Sequence, residues 1–296
     1  MKKKVLITGI TGMLGKDIRE TFSKEYEVFG ISREEQNQKN IFCGDIKDDN
    51  FTNYLLKQID PEIIIHCAAI VNVDACELNS EEAERLHVSS TVNLASYKKN
   101  RTKFIYISTD SIFDGTKGNY SEESEPNPIN NYARSKLRGE QVASSLNGKS
   151  LIIRTNIFGF HIPTKKSLVE WAIANFEWKT EIKGFSDVFF NPVYTKDLSE
   201  TLKKIVEKFD ISGILNIGSR NFMSKYEFLV QLATAFNYNS DLVKMASVQE
   251  LAFAASRPQN TTLSIQKLSA LNLIVPDVLE GITRLKMDWE KYKQNI

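Results

Sequence analysis

Tyr132 and Lys136 stand four residues apart in the run Tyr-Ala-Arg-Ser-Lys. A helix there puts a phenol and an ammonium on one face. An unperturbed tyrosine has a pKa of about 10 and transfers few protons at neutral pH. A neighbouring ammonium, together with the positive charge of an oxidised nicotinamide, stabilises the phenolate, which predicts a lowered value. Such a phenol can give its proton to a carbonyl oxygen as hydride reaches the carbon. The plain alternative is a solvent-facing Tyr–Lys pair, which is common on helices. A second pattern weighs against that alternative. Gly9, Gly12 and Gly15, with Met13 and Leu14 between the last two, follow an apolar run and open a segment of helical spacing. In that setting glycines give a tight turn and close backbone approach, and the helix N-terminus offers unpaired N–H groups to a dinucleotide pyrophosphate.

Further positions bear on the same chemistry. Lys136 can also bond the nicotinamide ribose. Thr109, in Ser108-Thr109-Asp110, can bond the substrate oxygen, or the segment can simply cap a turn. The second strand ends at Ser32-Arg33, where an NAD site usually has an acid about 20 residues past the glycines. An arginine beside a hydroxyl suits a 2′-phosphate, so NADP(H) is expected over NAD(H). Glu34 argues the other way, and Arg33 as a solvated surface charge is the alternative. Asp45-Ile46 follows the third strand. The acid can bond the adenine amino group with Ile46 against the ring, or it can cap a helix beginning at Lys47.

The elements that must hold these residues alternate in type. Strand patterns cover 5–8, 27–32, 41–43, 63–67, 104–108 and 151–153. Helical patterns cover 13–23, 51–59, 80–99 and 131–145, the third with Ser80 as N-cap and acids in its first turns. The run Ile63-Ile64-Ile65-His66-Cys67 is apolar enough for a strand buried on both faces. This alternation predicts an α/β fold with a doubly wound, parallel, Rossmann-type sheet. The second half has helical segments at 167–176, 195–209, 225–236 and 265–271 and a strand at 214–217. It reads as a smaller α-rich C-terminal substrate lobe that returns to the sheet. Residues 1–158 are assigned to dinucleotide binding, with the sheet completed near 191–218, and 159–296 mainly to substrate binding. The polar stretch 115–130 reads as a loop, and Trp171 and Trp178 as lobe packing.

Composition sets the outer bounds. With 296 residues, 38 basic and 37 acidic, and a net charge of +1, the chain has no bulk charge suited to nucleic acid or a membrane. It has no apolar run near the roughly 18 residues that a span needs, and no signal-peptide pattern. Three cysteines without CxxC spacing fit a reduced, cytoplasmic protein. His66, His87 and His161 are too scattered to imply a metal.

The motifs Gly9–Gly15, Cys67–Glu77, Tyr106–Gly115, Tyr132–Glu140, Arg154–Gly159, Asn191–Leu198, Asn216–Ser219 and Ser256–Leu263 resemble the extended short-chain dehydrogenase/reductases. Within them they most resemble the dTDP-4-dehydrorhamnose reductases. The resemblance implies a triad of Thr109, Tyr132 and Lys136. It places cofactor backbone contacts at Cys67, Ala68 and Ala69, and an adenine contact at Asp45 and Ile46. It implies reduction, by NADPH or NADH, of a 4-keto nucleotide-activated deoxysugar for polysaccharide synthesis, in a cleft between two lobes and often in a homodimer. Ser111, Asn156, Tyr194 and Arg257 are the substrate candidates. Tyr194 is alternatively a core residue, and Arg257, a candidate for the diphosphate, alternatively an exposed loop cation. Two positions depart from the family. Ser111 stands where a tyrosine approaches the sugar, and His87 where an asparagine is usual. His87 is read either as a replacement hydrogen bonder or as a merely structural polar residue. Competing functions are another nucleotide-sugar epimerase or reductase, and a catalytically silent NADP-binding regulatory subunit of the kind that serves methionine adenosyltransferase. A dehydratase would want a glutamate where Ser111 stands.

Overall fold

The computed structural model describes residues 2–98, 101–273 and 276–294. Seven strands form the main sheet: β1 (Lys4–Thr8), β2 (Glu27–Ser32), β3 (Ile41–Cys43), β4 (Ile63–His66), β5 (Lys103–Ile107), β6 (Leu151–Thr155) and β7 (Gly213–Ile217). Their order is β7-β6-β5-β4-β1-β2-β3, and every pairing is parallel. The strand order reverses between β1 and β4, and the crevice outside their carboxyl ends is where ligands of such sheets bind.

Successive strand side chains point to opposite faces, and each face is apolar. Val5, Ile7, Ile65, Ile105 and Ile153 pack under the Met13–Phe22 helix and the Thr195–Lys208 helix. Leu6, Ile64, Phe104, Tyr106 and Ile152 pack under the Asp49–Ile59 helix and residues of the Ser90–Ser96 and Asn131–Leu146 helices. This two-sided burial explains why the strands read as continuous apolar runs. A separate core gathers Phe158, Phe176, Phe190, Phe228, Ile282 and Trp289 from the C-terminal half. The strand expected to return to the sheet is β7, at its edge beside β6.

Several elements differ from the sequence reading. A helix at Val73–Leu78 precedes the one expected from 80. The cap of the latter is Asn79, whose side chain accepts the Glu82 N–H, so Ser80 is the first helical residue. That helix is not uniform: it runs Ser80–Glu84, widens into a π-helical turn at Arg85–Ser89, and resumes at Ser90–Ser96. The Lys99 expected at its end lies outside the described residues. The Ser90 hydroxyl donates to Leu86 O and the Thr91 hydroxyl to His87 O at 2.7 Å, so side chains take up carbonyls that an α-helical ladder would use. Trp171 and Trp178 are exposed rather than packed, 43% and 83% respectively, because their helix turns Val169, Ala172, Ile173 and Phe176 inward instead. A helix at Val278–Gln294 has no counterpart in the sequence reading. Its buried Val278, Ile282, Leu285 and Trp289 recur at helical spacing, the signal that marks it.

The turn after β1 leaves no space for side chains. Gly9 has φ of +67°, and a Cβ on Gly15 would lie 2.2 Å from the Gly9 carbonyl oxygen. Gly15→Ala should therefore cost about 1–3 kcal/mol by overpacking. Urea denaturation of the cofactor-free protein measures this, and an unchanged midpoint would contradict the packing described.

Candidate functional site

Three turns converge on the crevice. The first is the glycine turn. Gly12 N donates to Gly9 O at 2.9 Å, and Gly12 caps the following helix without any side-chain acceptor. No acid stands in that helix's first turn. The orphan N–H groups and the positive helix end therefore face the crevice with no internal anion, which fits a pyrophosphate. A Cβ on Gly9 would lie 2.9 Å from the Ala68 backbone, so the turn lies directly against the chain leaving β4. Cys67 N donates to Thr8 O at 3.3 Å, and Ala68 N to the Thr8 hydroxyl at 3.2 Å. Cys67, Ala68 and Ala69 thus line this edge, each half-buried.

The residues expected on the adenosine side, Ser32, Arg33, Asp45 and Ile46, sit at the ends of β2 and β3. Ser32 is buried, and its Oγ accepts the Glu34 N–H at 3.2 Å, while Arg33 is exposed. Asp45 accepts the Lys47 N–H at 2.9 Å and faces the Lys47 ammonium at 3.4 Å. It does not cap a helix from Lys47, because that helix begins at Asp49 and is capped by Asp48. Ile46 is buried with Leu55 and Leu56.

The third turn follows β5. Thr109 Oγ1 accepts the Ser111 N–H at 3.1 Å and donates to Asp110 at 3.2 Å. Opposite it, the Asn130 side chain caps the catalytic-candidate helix by accepting the Ala133 N–H at 2.9 Å. Tyr132 is the second residue of that helix and is half-buried. The nearby Thr109 hydroxyl lowers its pKa, but burial outweighs this and pushes it up to about 12. The protein's own groups thus do not give the lowering expected from Lys136 together with an oxidised nicotinamide. The Lys136 ammonium is 3% exposed, donates to Ile107 O at 2.7 Å, and lies 4.1 Å from the Tyr106 ring centre. It is turned to the end of β5. Burial lowers its own pKa to about 7, opposed by the charge of Glu140 one turn on. Glu140 is buried in a pair with Arg154 at 2.9 Å and also accepts from the Ser108 hydroxyl. The sequence reading missed this pair; Glu140 four residues beyond Lys136 was its only signal.

His87 is fully buried against Tyr132, their rings edge to face at 5.9 Å. Its Nε2 accepts the Ile70 N–H at 2.9 Å, so Nδ1 carries the proton and donates to the Ser135 hydroxyl at 2.8 Å. Ser135 in turn donates to Tyr132 O at 2.9 Å. Burial and the Lys136 charge drop the imidazole pKa to about 2, so it is a neutral hydrogen bonder.

The substrate candidates divide. Asn156 donates to Asp110 at 2.8 Å, and the Ser111 hydroxyl donates to the same carboxylate at 3.2 Å, so both stand beside Thr109. Thr261 adds a third donor to Asp110 at 2.6 Å. Arg257 pairs with Asp74 at 2.8 Å, and Ala255 N donates to the same carboxylate. Its charge is already answered within the protein. Tyr194 does not join the cleft. It is 2% exposed, in the C-terminal core, with its hydroxyl on Asp288 at 3.0 Å. Among the cysteines, Cys43 is exposed; burial raises Cys67 to about 12 and Cys76 to about 11, which leaves both as thiols. Among the described residues, no group of three or more His, Cys, Asp or Glu could hold a metal ion, and no helix is long and apolar enough to cross a membrane.

Known proteins resemble the chain over nearly its whole length. A dTDP-4-dehydrorhamnose reductase from Bacillus anthracis, solved in complex with NADP, superposes with a TM-score of 0.88 at 29% identity, covering 97% of this chain and 100% of that one. Methionine adenosyltransferase 2 subunit beta of Danio rerio is 29% identical over 92% of this chain and 86% of its own. A Haloferax volcanii protein described as "Probable low-salt glycan biosynthesis reductase Agl14" is 26% identical over 97% and 98%. Residues 2–285 match the family model described as RmlD substrate binding domain. The chain therefore belongs to that family, within the extended short-chain dehydrogenase/reductases.

Proposed function

We propose that the protein reduces the 4-keto group of a nucleotide-activated deoxysugar, with Tyr132 as proton donor. The observation that carries this reading is the convergence of Tyr132, Thr109 and Lys136 at the carboxyl ends of β4 and β5, beside the glycine turn after β1. NADPH or NADH, when bound, supplies the hydride. The glycine turn would take the pyrophosphate on its free N–H groups, and Arg33 beside Ser32 would take a 2′-phosphate. Thr109 and Tyr132 would share the substrate carbonyl oxygen. A phenol whose pKa lies near 12 keeps its proton at neutral pH, which suits a donor that must release it only as negative charge grows on that oxygen. Lys136 anchors the end of β5 and offers its remaining N–H groups to the cofactor ribose. Residues 1–158 would then bind the dinucleotide and 159–296 mainly the substrate.

A second reading is a cofactor-binding regulatory subunit. It is favoured by the kinship to methionine adenosyltransferase beta subunits and by the replacements at Ser111 and His87. The two readings separate on turnover. With dTDP-4-keto-6-deoxyhexoses as substrates, the reductase consumes NADPH, and Tyr132→Phe loses about 10²–10⁴-fold in kcat while binding cofactor normally. Full turnover in that variant would remove Tyr132 as the donor. No turnover of any nucleotide-linked keto sugar would favour the regulatory reading.

Two further outcomes follow from the same geometry. Arg33→Ala should weaken NADPH about tenfold and NADH little, measured by fluorescence titration; equal losses would remove the 2′-phosphate contact. Lys136 has a folded-state pKa of about 7, against an ordinary 10.5. Between those values the unfolded chain holds more protons, so stability rises with pH across that window. Melting of the cofactor-free protein should show this rise from pH 7 to 10, reduced in Lys136→Met. Parallel curves for the two proteins would contradict the burial of that charge.

A further inference from the structure

Lys225 is a cation that the scheme above leaves without a task. It opens the Lys225–Ala235 helix, where the positive dipole end disfavours an ammonium. A residue that breaks a local rule is expected at functional sites. Its Nζ lies 3.3 Å from the Phe190 ring centre, and among the described residues no carboxylate, carbonyl or hydroxyl accepts a hydrogen bond from it. Among the described residues the charge that acts on it is that of Asp110, which raises the lysine pKa, while the lysine lowers that of Asp110. Burial outweighs this attraction and takes Lys225 down to about 8. Asp110 itself is saturated by Thr109, Ser111, Asn156 and Thr261.

The ammonium sits half-buried over the Phe190 ring; the adjoining Phe189 O accepts the Thr261 N–H at 3.2 Å, and the Thr261 hydroxyl donates to Asp110 at 2.6 Å, which ties this segment to the turn that carries Thr109. The backbone hydrogen bond that Lys225 N–H donates to Val188 O, at 2.8 Å, and the pairing of Met223–Ser224 with Phe189–Phe190 fix its base. Arg257, the other cation considered for this role, is committed to Asp74.

We infer that Lys225 binds the sugar-linked phosphoryl group of the nucleotide-activated substrate. This rests on the function proposed above and deepens it. In a pyranose, C1 stands across the ring from C4, so a phosphoryl group on C1 is one ring away from the carbonyl shared by Thr109 and Tyr132. A charge-assisted bond there would also exclude sugars lacking the phosphate.

Calorimetry with dTDP, thymidine and NADPH on the full chain tests the assignment without needing turnover. Lys225→Met should weaken dTDP by about 10- to 100-fold, leave thymidine and NADPH unchanged, and raise KM for the keto sugar with kcat within about threefold. Lys225→Arg should recover most of the dTDP affinity. Equal dTDP binding by Lys225→Met and the unmodified protein overturns the inference while leaving the reductase reading standing. So does an equal loss for thymidine, or a loss confined to NADPH. If the unmodified protein binds NADPH but none of dTDP, UDP, GDP and CDP, both readings fall. If dTDP binding depends on Lys225 but no keto sugar is turned over, the phosphoryl contact stands and the reductase reading falls.

Discussion

A lysine ammonium buried at the end of a parallel sheet must find oxygen and charge nearby, or lose its proton. Lys136 meets that demand in part, with the Ile107 carbonyl, the Tyr106 ring and the more distant charge of Glu140, and burial still takes its pKa down to about 7. Each partner imposes a condition on the surroundings. The carbonyl is free because β5 has ended. The ring lies flat because the next helix approaches over Gly139, where a Cβ would meet the Tyr106 hydroxyl at 2.2 Å. Glu140 is itself tolerated only because Arg154 from β6 pairs with it. The helix that carries Tyr132 is thereby tied to two strands, and the phenol inherits that rigidity.

A second set of bonds fixes the phenol from the side. The sequence Ile70 N–H, His87, Ser135, Tyr132 carbonyl runs through one buried imidazole in one tautomer. The π-helical turn places that ring there by shifting the helix phase, and side-chain hydroxyls occupy the carbonyls that the shift frees. Of the two sequence-level readings of His87, the replacement hydrogen bonder fits these contacts. The ring lies between the chain after β4 and the helix of Tyr132, where both its nitrogens are used.

How much of this was legible in the chain depends on the range of the interaction. The seven strands follow from their apolar runs, because burial on both faces leaves a mark in consecutive residues. The glycine turn and the Tyr–Lys spacing follow from local geometry. The tuning of the phenol does not. Desolvation comes from the whole surrounding wall, and it reversed the direction that the neighbouring lysine alone would give. Arg257 and Tyr194 were both assigned from neighbours in sequence, whereas their partners, Asp74 and Asp288, lie 183 and 94 residues away. The tryptophans at 171 and 178 misled for a similar reason. Their size suggests burial, but the helix phase is set by Val169, Ile173 and Phe176.

The three thiols are unequal in a way that bears on chemical labelling. Cys43, on the outer edge strand, is exposed, while burial keeps Cys67 and Cys76 as thiols even in mild alkali. A maleimide or a spin label would accordingly report from Cys43, at the outer edge of the sheet, and leave the crevice beside Cys67 chemically silent.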